Sequence, residues 1–161
     1  MTWLNNDSLL RKFGTEQATA NLAGEYRTTG HLHEVEVKID LTDLTQTETI
    51  QSDVTVIPSG SRIVEVQVVT HTVAATGTAI DIGLIRTDRT TEIDYNGLLE
   101  AFVTADMSVA GETHILYGDT STGGALIGTT TSNVGHITAS MTDATAFTAG
   151  VIYVTIRYYV P

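Results

Sequence analysis

The sequence contains no cysteine and only 2 prolines among its 161 residues. Without cysteine, the chain has no disulfide, no thiolate nucleophile and no cysteine-based zinc site. No apolar run approaches the roughly 20 residues that a membrane-spanning helix needs. No basic segment leads into an apolar one at the start of the chain, so we expect no secretory signal peptide and synthesis in the cytoplasm. Membrane association is therefore not expected.

Basic residues are scarce and unevenly placed. The chain has 8 Lys and Arg against 19 Asp and Glu, for a net charge of −11. Residues 1–31 hold 3 of each sign, whereas residues 32–161 hold 5 basic and 16 acidic ones. No Lys or Arg lies between Arg89 and Arg157. A basic stripe for phosphate contacts cannot form there, so nucleic acid is not an expected partner.

Threonine is the most abundant residue, with 29 copies. It is β-branched and favours the half-buried surface of a pleated sheet. Hydrophobic residues make up 42% of the chain and the mean hydropathy is +0.08, which is too apolar for disorder. The length suits one domain. We therefore predict one all-β domain over residues 32–161, preceded by an N-terminal arm over residues 1–31.

Alternating apolar and polar residues predict the strands of this domain. The clearest are 33–41, with Val35, Val37 and Ile39 on one face, and 151–160. Residues 97–103 fit either a helical turn or a buried strand. The remaining predicted strands are 53–57, 62–73, 79–85, 112–117, 125–131 and 135–140. About eight strands at this spacing predict a jelly-roll-like β-sandwich.

The arm has a different character from the body. Asp7 and Thr15 can each cap a short helical segment, and Gly24 can end the second. The arm combines apolar side chains with two adjacent cations, which suits binding to a neighbouring protein. Its candidate partner-binding residues are Trp3, Leu4, Leu9, Leu10, Arg11, Lys12 and Phe13.

One short pattern resembles the metal-binding motif of cupins, which are also jelly rolls. His31 and His33 would point to one face of a strand. The metal-binding Glu that should follow falls instead at Val37 or Lys38, and the later His falls at Ile63. The ligand set is incomplete, because an open metal site needs three or four converging ligands.

Two other patterns are also incomplete. Residues 92–97 copy the front half of a calcium loop, but the bidentate Glu is replaced by Val103, so a polar turn is expected. A surface calcium ion remains an alternative, with candidate ligands Asp81, Asp88, Glu92 and Asp94. Residues 118–123 have P-loop glycine spacing without the following Lys-Ser/Thr. We therefore expect no cofactor, no catalytic residue and no enzymatic activity.

The last strand places Tyr153 and Tyr159 on its outward face. Such tyrosines are common at contacts between subunits, and they can also stack on sugars. We favour the subunit contact and keep a carbohydrate-binding module as the alternative.

The sequence also resembles the head decoration, or cement, proteins of tailed bacteriophages. The resemblance is carried by Ile57-Pro-Ser-Gly60, residues 63–69, Ile82-Gly-Leu-Ile85, the segment from Glu92 to Leu99, and the ending 150–159. It implies a β-sandwich on the outer surface of the virion capsid. It also implies self-association as a homotrimer and a major capsid protein as partner, whose contacts the protein stabilises. The family defines no catalytic residues. The alternative function is a carbohydrate-binding or host-adhesion β-sandwich module of a phage tail or appendage.

Overall fold

The computed structural model describes residues 31–44, 55–118 and 120–160. Eight strands form two four-stranded antiparallel sheets, in the orders β1-β8-β3-β6 and β2-β7-β4-β5. The strands are β1 (His31–Asp40), β2 (Val56–Ile57), β3 (Arg62–Thr76), β4 (Ala79–Arg86), β5 (Glu92–Val103), β6 (Thr113–Leu116), β7 (Gly135–Met141) and β8 (Phe147–Val160). This strand order is that of two interlocked Greek keys, so the predicted jelly roll is confirmed.

The core lies between the two sheets and is mainly aliphatic. Along β8, Ile152, Val154 and Ile156 are completely buried, as the alternation predicts. They face buried residues of the opposite sheet, such as Ile82 and Leu84 of β4. In the described ranges no helix is long and apolar enough to cross a membrane. Residues 1–30 lie outside the described residues, so the arm and its short helices stay predictions.

Strand β5 corrects one expectation and decides between the two alternatives left open for residues 97–103. The expected polar turn at residues 92–97 is wrong, because these residues are the first half of β5. Residues 97–103 form a strand and not a helical turn. The pairing of β4 with β5 jumps from Ile82↔Leu99 to Leu84↔Asp94, so residues 95–98 bulge opposite the single residue Gly83.

The strand predicted at residues 125–131 is also wrong. Its backbone bonds go to two different strands: the N–H of Leu126 donates to Gly97 O at 2.8 Å, and that of Gly128 donates to Ile63 O at 2.8 Å. The segment therefore crosses the end of the sandwich as a series of turns. Before it, Thr122 O accepts from the N–H of Glu100, which covers part of the β5 edge. A covered edge does not template pairing with another chain.

The β4–β5 hairpin is closed by Asp88. Its carboxylate accepts hydrogen bonds from the backbone N–H groups of Thr90 and Thr91, both at 2.8 Å, and from the Thr91 hydroxyl. These bonds, the hydroxyl bond foremost, hold the pKa of Asp88 well below its ordinary value. The ionised side chain therefore stabilises the turn that joins the two strands.

We expect Asp88→Ala to lower stability modestly at pH 7 and to have a smaller effect near pH 2. A carboxyl group whose pKa is depressed by folding stabilises the fold above its unfolded pKa of about 3.9, and this contribution disappears as pH falls through the folded value. Urea unfolding of both proteins from pH 7 to pH 2 measures the difference. Glu100→Ala removes an exposed carboxylate of β5 and is the control. A loss that is equal at both pH values would contradict this role.

Candidate interaction surface

The candidate site is the solvent-facing side of the β1-β8-β3-β6 sheet, called here the outer face. Alternation along β8 turns Tyr153, Thr155, Arg157 and Tyr159 to this side, while the residues between them are buried in the core. The sequence analysis placed Tyr153 and Tyr159 on the outward face of the last strand, and this placement is confirmed. Tyr159 is exposed and Tyr153 is half-buried. Their role in subunit contacts stays a prediction.

Strand register arranges the centre of the outer face in rows. Val69 of β3 lies opposite Thr113 of β6 and Tyr153 of β8. One step along β3, Gln67 lies opposite Ile115 and Thr155. Side chains that face each other across strands in this way pack together and stabilise the sheet. The rows make the centre of the outer face a continuous surface across three strands.

Tyr153 has a further neighbour on β3. The ring of His71 meets the tyrosine ring edge-on, with centroids 5.5 Å apart and planes at 68°. Aromatic rings favour this geometry because the positive edge of one meets the negative face of the other. The contact joins β8 to β3 at one end of the outer face.

An ionic ladder crosses three strands of the outer face. Arg157 of β8 donates from Nε to Glu34 of β1 at 2.7 Å, and its Nη1 pairs with Glu65 of β3. The hydrogen bond to Glu34 is the main cause that raises the pKa of Arg157. The guanidinium therefore stays charged between two carboxylates. It links the edge strand β1 to the two central strands.

Exposed apolar side chains lie around this ladder. Ile115 is 44% exposed and Tyr159 is 42% exposed, although large hydrophobic residues are usually buried. Leu32 of β1 and Tyr117, which follows β6, are more exposed still. The outer face therefore combines apolar and aromatic side chains with paired charges, which is the composition of many protein–protein interfaces.

The arm residues proposed to bind a partner lie outside the described residues. They are Trp3, Leu4, Leu9, Leu10, Arg11, Lys12 and Phe13. Their role stays a prediction.

The structure describes part of the metal patterns found in the sequence. In the described part of the chain, no three His, Asp or Glu side chains are grouped to hold a metal ion. His33 stacks on Tyr158, with ring centroids 5.5 Å apart. Asp81 accepts from the backbone N–H of Ala101 at 2.7 Å, and burial raises the pKa of Asp81. Burial also raises the pKa of Asp94.

Sequence reasoning missed two features of the outer face. It did not pair Arg157 with Glu34 and Glu65, because those residues are on strands far apart in sequence. It also did not single out Ile115, whose strand has only four residues. The alternation of β6 and β8 was available as a signal that Ile115 and Arg157 point outward. The residues beside them on other strands follow only from the strand order.

The sequence matches no protein-family model and no curated protein. Chains of three solved bacteriophage capsid structures are similar in fold. A chain of the capsid asymmetric unit of cyanophage Pam1 has a TM-score of 0.57 and 18% identity, covering 91% of this chain and 98% of that chain.

Two further capsid structures show the same likeness. A chain of the acid-stable capsid of Helicobacter pylori bacteriophage KHP30 has a TM-score of 0.51 and 12% identity, covering 81% of this chain and 88% of that one. A chain of the capsid of Ralstonia phage GP4 has a TM-score of 0.50 and 15% identity, covering 81% and 84%. The resemblance to phage head proteins seen in the sequence is thus confirmed at the level of the fold.

Proposed function

We propose that this chain is a structural protein of a bacteriophage virion that binds the outside of the assembled capsid and stabilises contacts between major capsid subunits. The observation that carries the proposal is the shared fold: 81–91% of this chain superposes on chains taken from phage capsids. Its partners are the major capsid protein and further copies of itself, as a homotrimer. The protein acts by binding and has no catalytic role.

The surface chemistry supports binding to protein. The outer face offers exposed aliphatic and aromatic side chains, such as Ile115 and Tyr159, beside paired charges. Aromatic residues are enriched at protein interfaces because one end is apolar and the other tolerates water. The remainder of the body is acidic, which disfavours contact with nucleic acid phosphates. A capsid surface is therefore a better match than the packaged genome.

The N-terminal arm supplies part of the grip in this proposal. Its apolar residues Trp3, Leu9 and Phe13 would enter contacts with a capsid subunit or an adjacent copy. The neighbouring cations Arg11 and Lys12 would pair with capsid carboxylates. Linking an arm to a folded body raises overall affinity, because the second contact becomes intramolecular once the first has formed.

Co-sedimentation with empty capsid shells tests the proposal. We expect the full chain to pellet with shells at hundreds of copies per particle, because decoration occupies repeated sites. The double variant Arg11→Glu, Lys12→Glu should bind at least about tenfold more weakly, since two attractive pairs become repulsive. Arg89→Glu, a charge reversal in the β4–β5 turn, is the matched control and should bind as the natural chain does.

Each other outcome has a definite meaning. No binding of the full chain to shells would contradict the capsid proposal, and undiminished binding of the double variant would contradict the role of the arm. A few copies per virion, with a thermal midpoint raised by a glycan, would favour the adhesion module instead, since a ligand of the folded state raises its stability. The exposed rings of Tyr117 and Tyr159 would then be the residues to replace.

A further inference from the structure

Charge is distributed unequally over the described surface. The outer face carries three basic side chains, Lys38, Arg62 and Arg157, and three acidic ones, Glu34, Glu36 and Glu65. Asp40, at the end of β1, adds a fourth carboxylate near Lys38 and caps the following 3-10 turn through the N–H of Thr42. The other described residues supply nine acidic side chains and two basic ones, Arg86 and Arg89. The outer face is therefore close to neutral on a body that is otherwise strongly acidic.

This distribution matters for contact between identical chains. Two copies with a net charge of −11 repel each other over most of their surfaces. Juxtaposed like charges cost interaction free energy, whereas balanced surfaces can match positive to negative groups. On the outer face the positive and negative side chains nearly balance in number. One of the positive ones, Arg62, lies directly opposite the exposed Tyr159. Of the described surfaces, this one opposes self-association least.

The outer face also supplies apolar area for such a contact. Leu32, Ile115 and Tyr159 are each at least 42% exposed, and Tyr117 is 67% exposed. Val69 and Tyr153 between them are half-buried. Burial of such side chains against a partner is favourable in proportion to the apolar surface removed from water. The exposed apolar side chains and the nearly balanced charges therefore lie on the same face of the sandwich.

We propose that copies of this chain associate with each other through the outer face of the β1-β8-β3-β6 sheet. The inference deepens the self-association in the proposed function and rests on it, by naming the surface that the copies share. Ile115, Tyr159 and the apolar residues around them are buried between copies. The acidic remainder of the body stays outside this contact, where a partner of opposite charge can bind it.

Single cysteines introduced into this cysteine-free chain test the proposal. Ile115→Cys and Gln67→Cys place a thiol on the outer face, and Val109→Cys places one at a 57% exposed position in the turn before β6. We expect maleimide labelling of both outer-face variants to slow about tenfold or more as protein concentration rises, because mass action buries the thiol. Labelling of Val109→Cys should change less than about twofold. Light scattering gives the mass of each sample.

A charge introduced at the same position gives an independent measurement. Ile115→Glu should shift the full-length chain toward the monomer mass, while Val109→Glu should not, because only the first buries a new charge between copies. Circular dichroism and thermal unfolding confirm that both variants fold. If Ile115→Glu does not fold, the two cysteine variants decide the question alone.

Three results would overturn the proposal: a natural chain that is monomeric at every concentration, an oligomer whose outer-face thiols label freely, or a folded Ile115→Glu variant of unchanged mass. Shell binding is measured separately on the same samples. An oligomer with a protected outer face that does not bind shells would refute the capsid function and leave this inference standing. A monomer that binds shells would refute this inference and leave the capsid function standing.

Discussion

Replacing Gly83 with alanine is expected to lower the free energy of unfolding by about 4 kcal/mol or more, which is exceptional for a single substitution. A Cβ at this position would lie 1.9 Å from the carbonyl oxygen of Asp94 and 2.4 Å from the carbonyl carbon of Tyr95. Both atoms belong to the backbone of the β5 bulge, which cannot move aside as a flexible side chain can. The substitution must therefore displace the bulge or break the pairing of β4 with β5.

Two other glycines provide a graded comparison. At Gly118 an added Cβ meets nothing within 4 Å, so Gly118→Ala should change stability by less than about 1 kcal/mol. At Gly135 the nearest atom is the side-chain Cδ1 of Ile93 at 3.0 Å, which can yield, so Gly135→Ala should lie between the two. Urea unfolding and soluble yield measure the series. A Gly83→Ala protein as stable as Gly118→Ala would show that the bulge does not lie over β4.

The same bulge explains why β5 was hard to predict. Regular alternation would expose one of the two adjacent residues Leu98 and Leu99, yet both are completely buried. A run of adjacent apolar residues fits a helical turn as well as a buried strand, and the sequence offers no sign of where a bulge begins. Gly83 belongs to the segment Ile82–Ile85, one of those that carried the resemblance to phage head proteins, and the backbone of residues 94–95 passes close over it.

Strand β3 shows the same limit on a smaller scale. Regular alternation along the strand predicted at residues 62–73 would put Val64, Val66 and Val68 on one face and Ile63 on the other. Ile63, Val66 and Val68 are in fact completely buried, while Val64 is only half-buried. The pairing with β8 shifts between Ile63 and Glu65, and such an irregularity reverses the alternation.

Strand β8 was predictable because its core-facing residues occur without interruption from Ile152 to Tyr158. The outer face followed from the sequence only in part. Local alternation shows which side chains point outward on each strand, and so it placed Tyr153 and Tyr159. The ladder through Arg157 depends on β1 and β3 flanking β8, which is a property of the jelly-roll strand order. Contacts between distant strands enter only with the topology.

Replacing Phe102 with alanine is expected to lower the free energy of unfolding by about 3–5 kcal/mol. The side chain is 1% exposed and belongs to the core between the sheets. Its ring also packs edge-to-face with the ring of His114 on β6, with centroids 5.1 Å apart. The substitution would leave a cavity and remove an aromatic contact that joins β5 of one sheet to β6 of the other.

Val103, the next residue of β5, is the matched control. Because it is 39% exposed on the opposite side of the strand, Val103→Ala should cost less than about 1 kcal/mol. Phe102→Leu should give an intermediate loss, since it keeps most of the apolar volume. Thermal and urea unfolding of the three variants measure this order. Equal losses at Phe102 and Val103 would mean that the two side chains do not lie on opposite sides of β5, and that this end of β5 does not close the core as the structure has it.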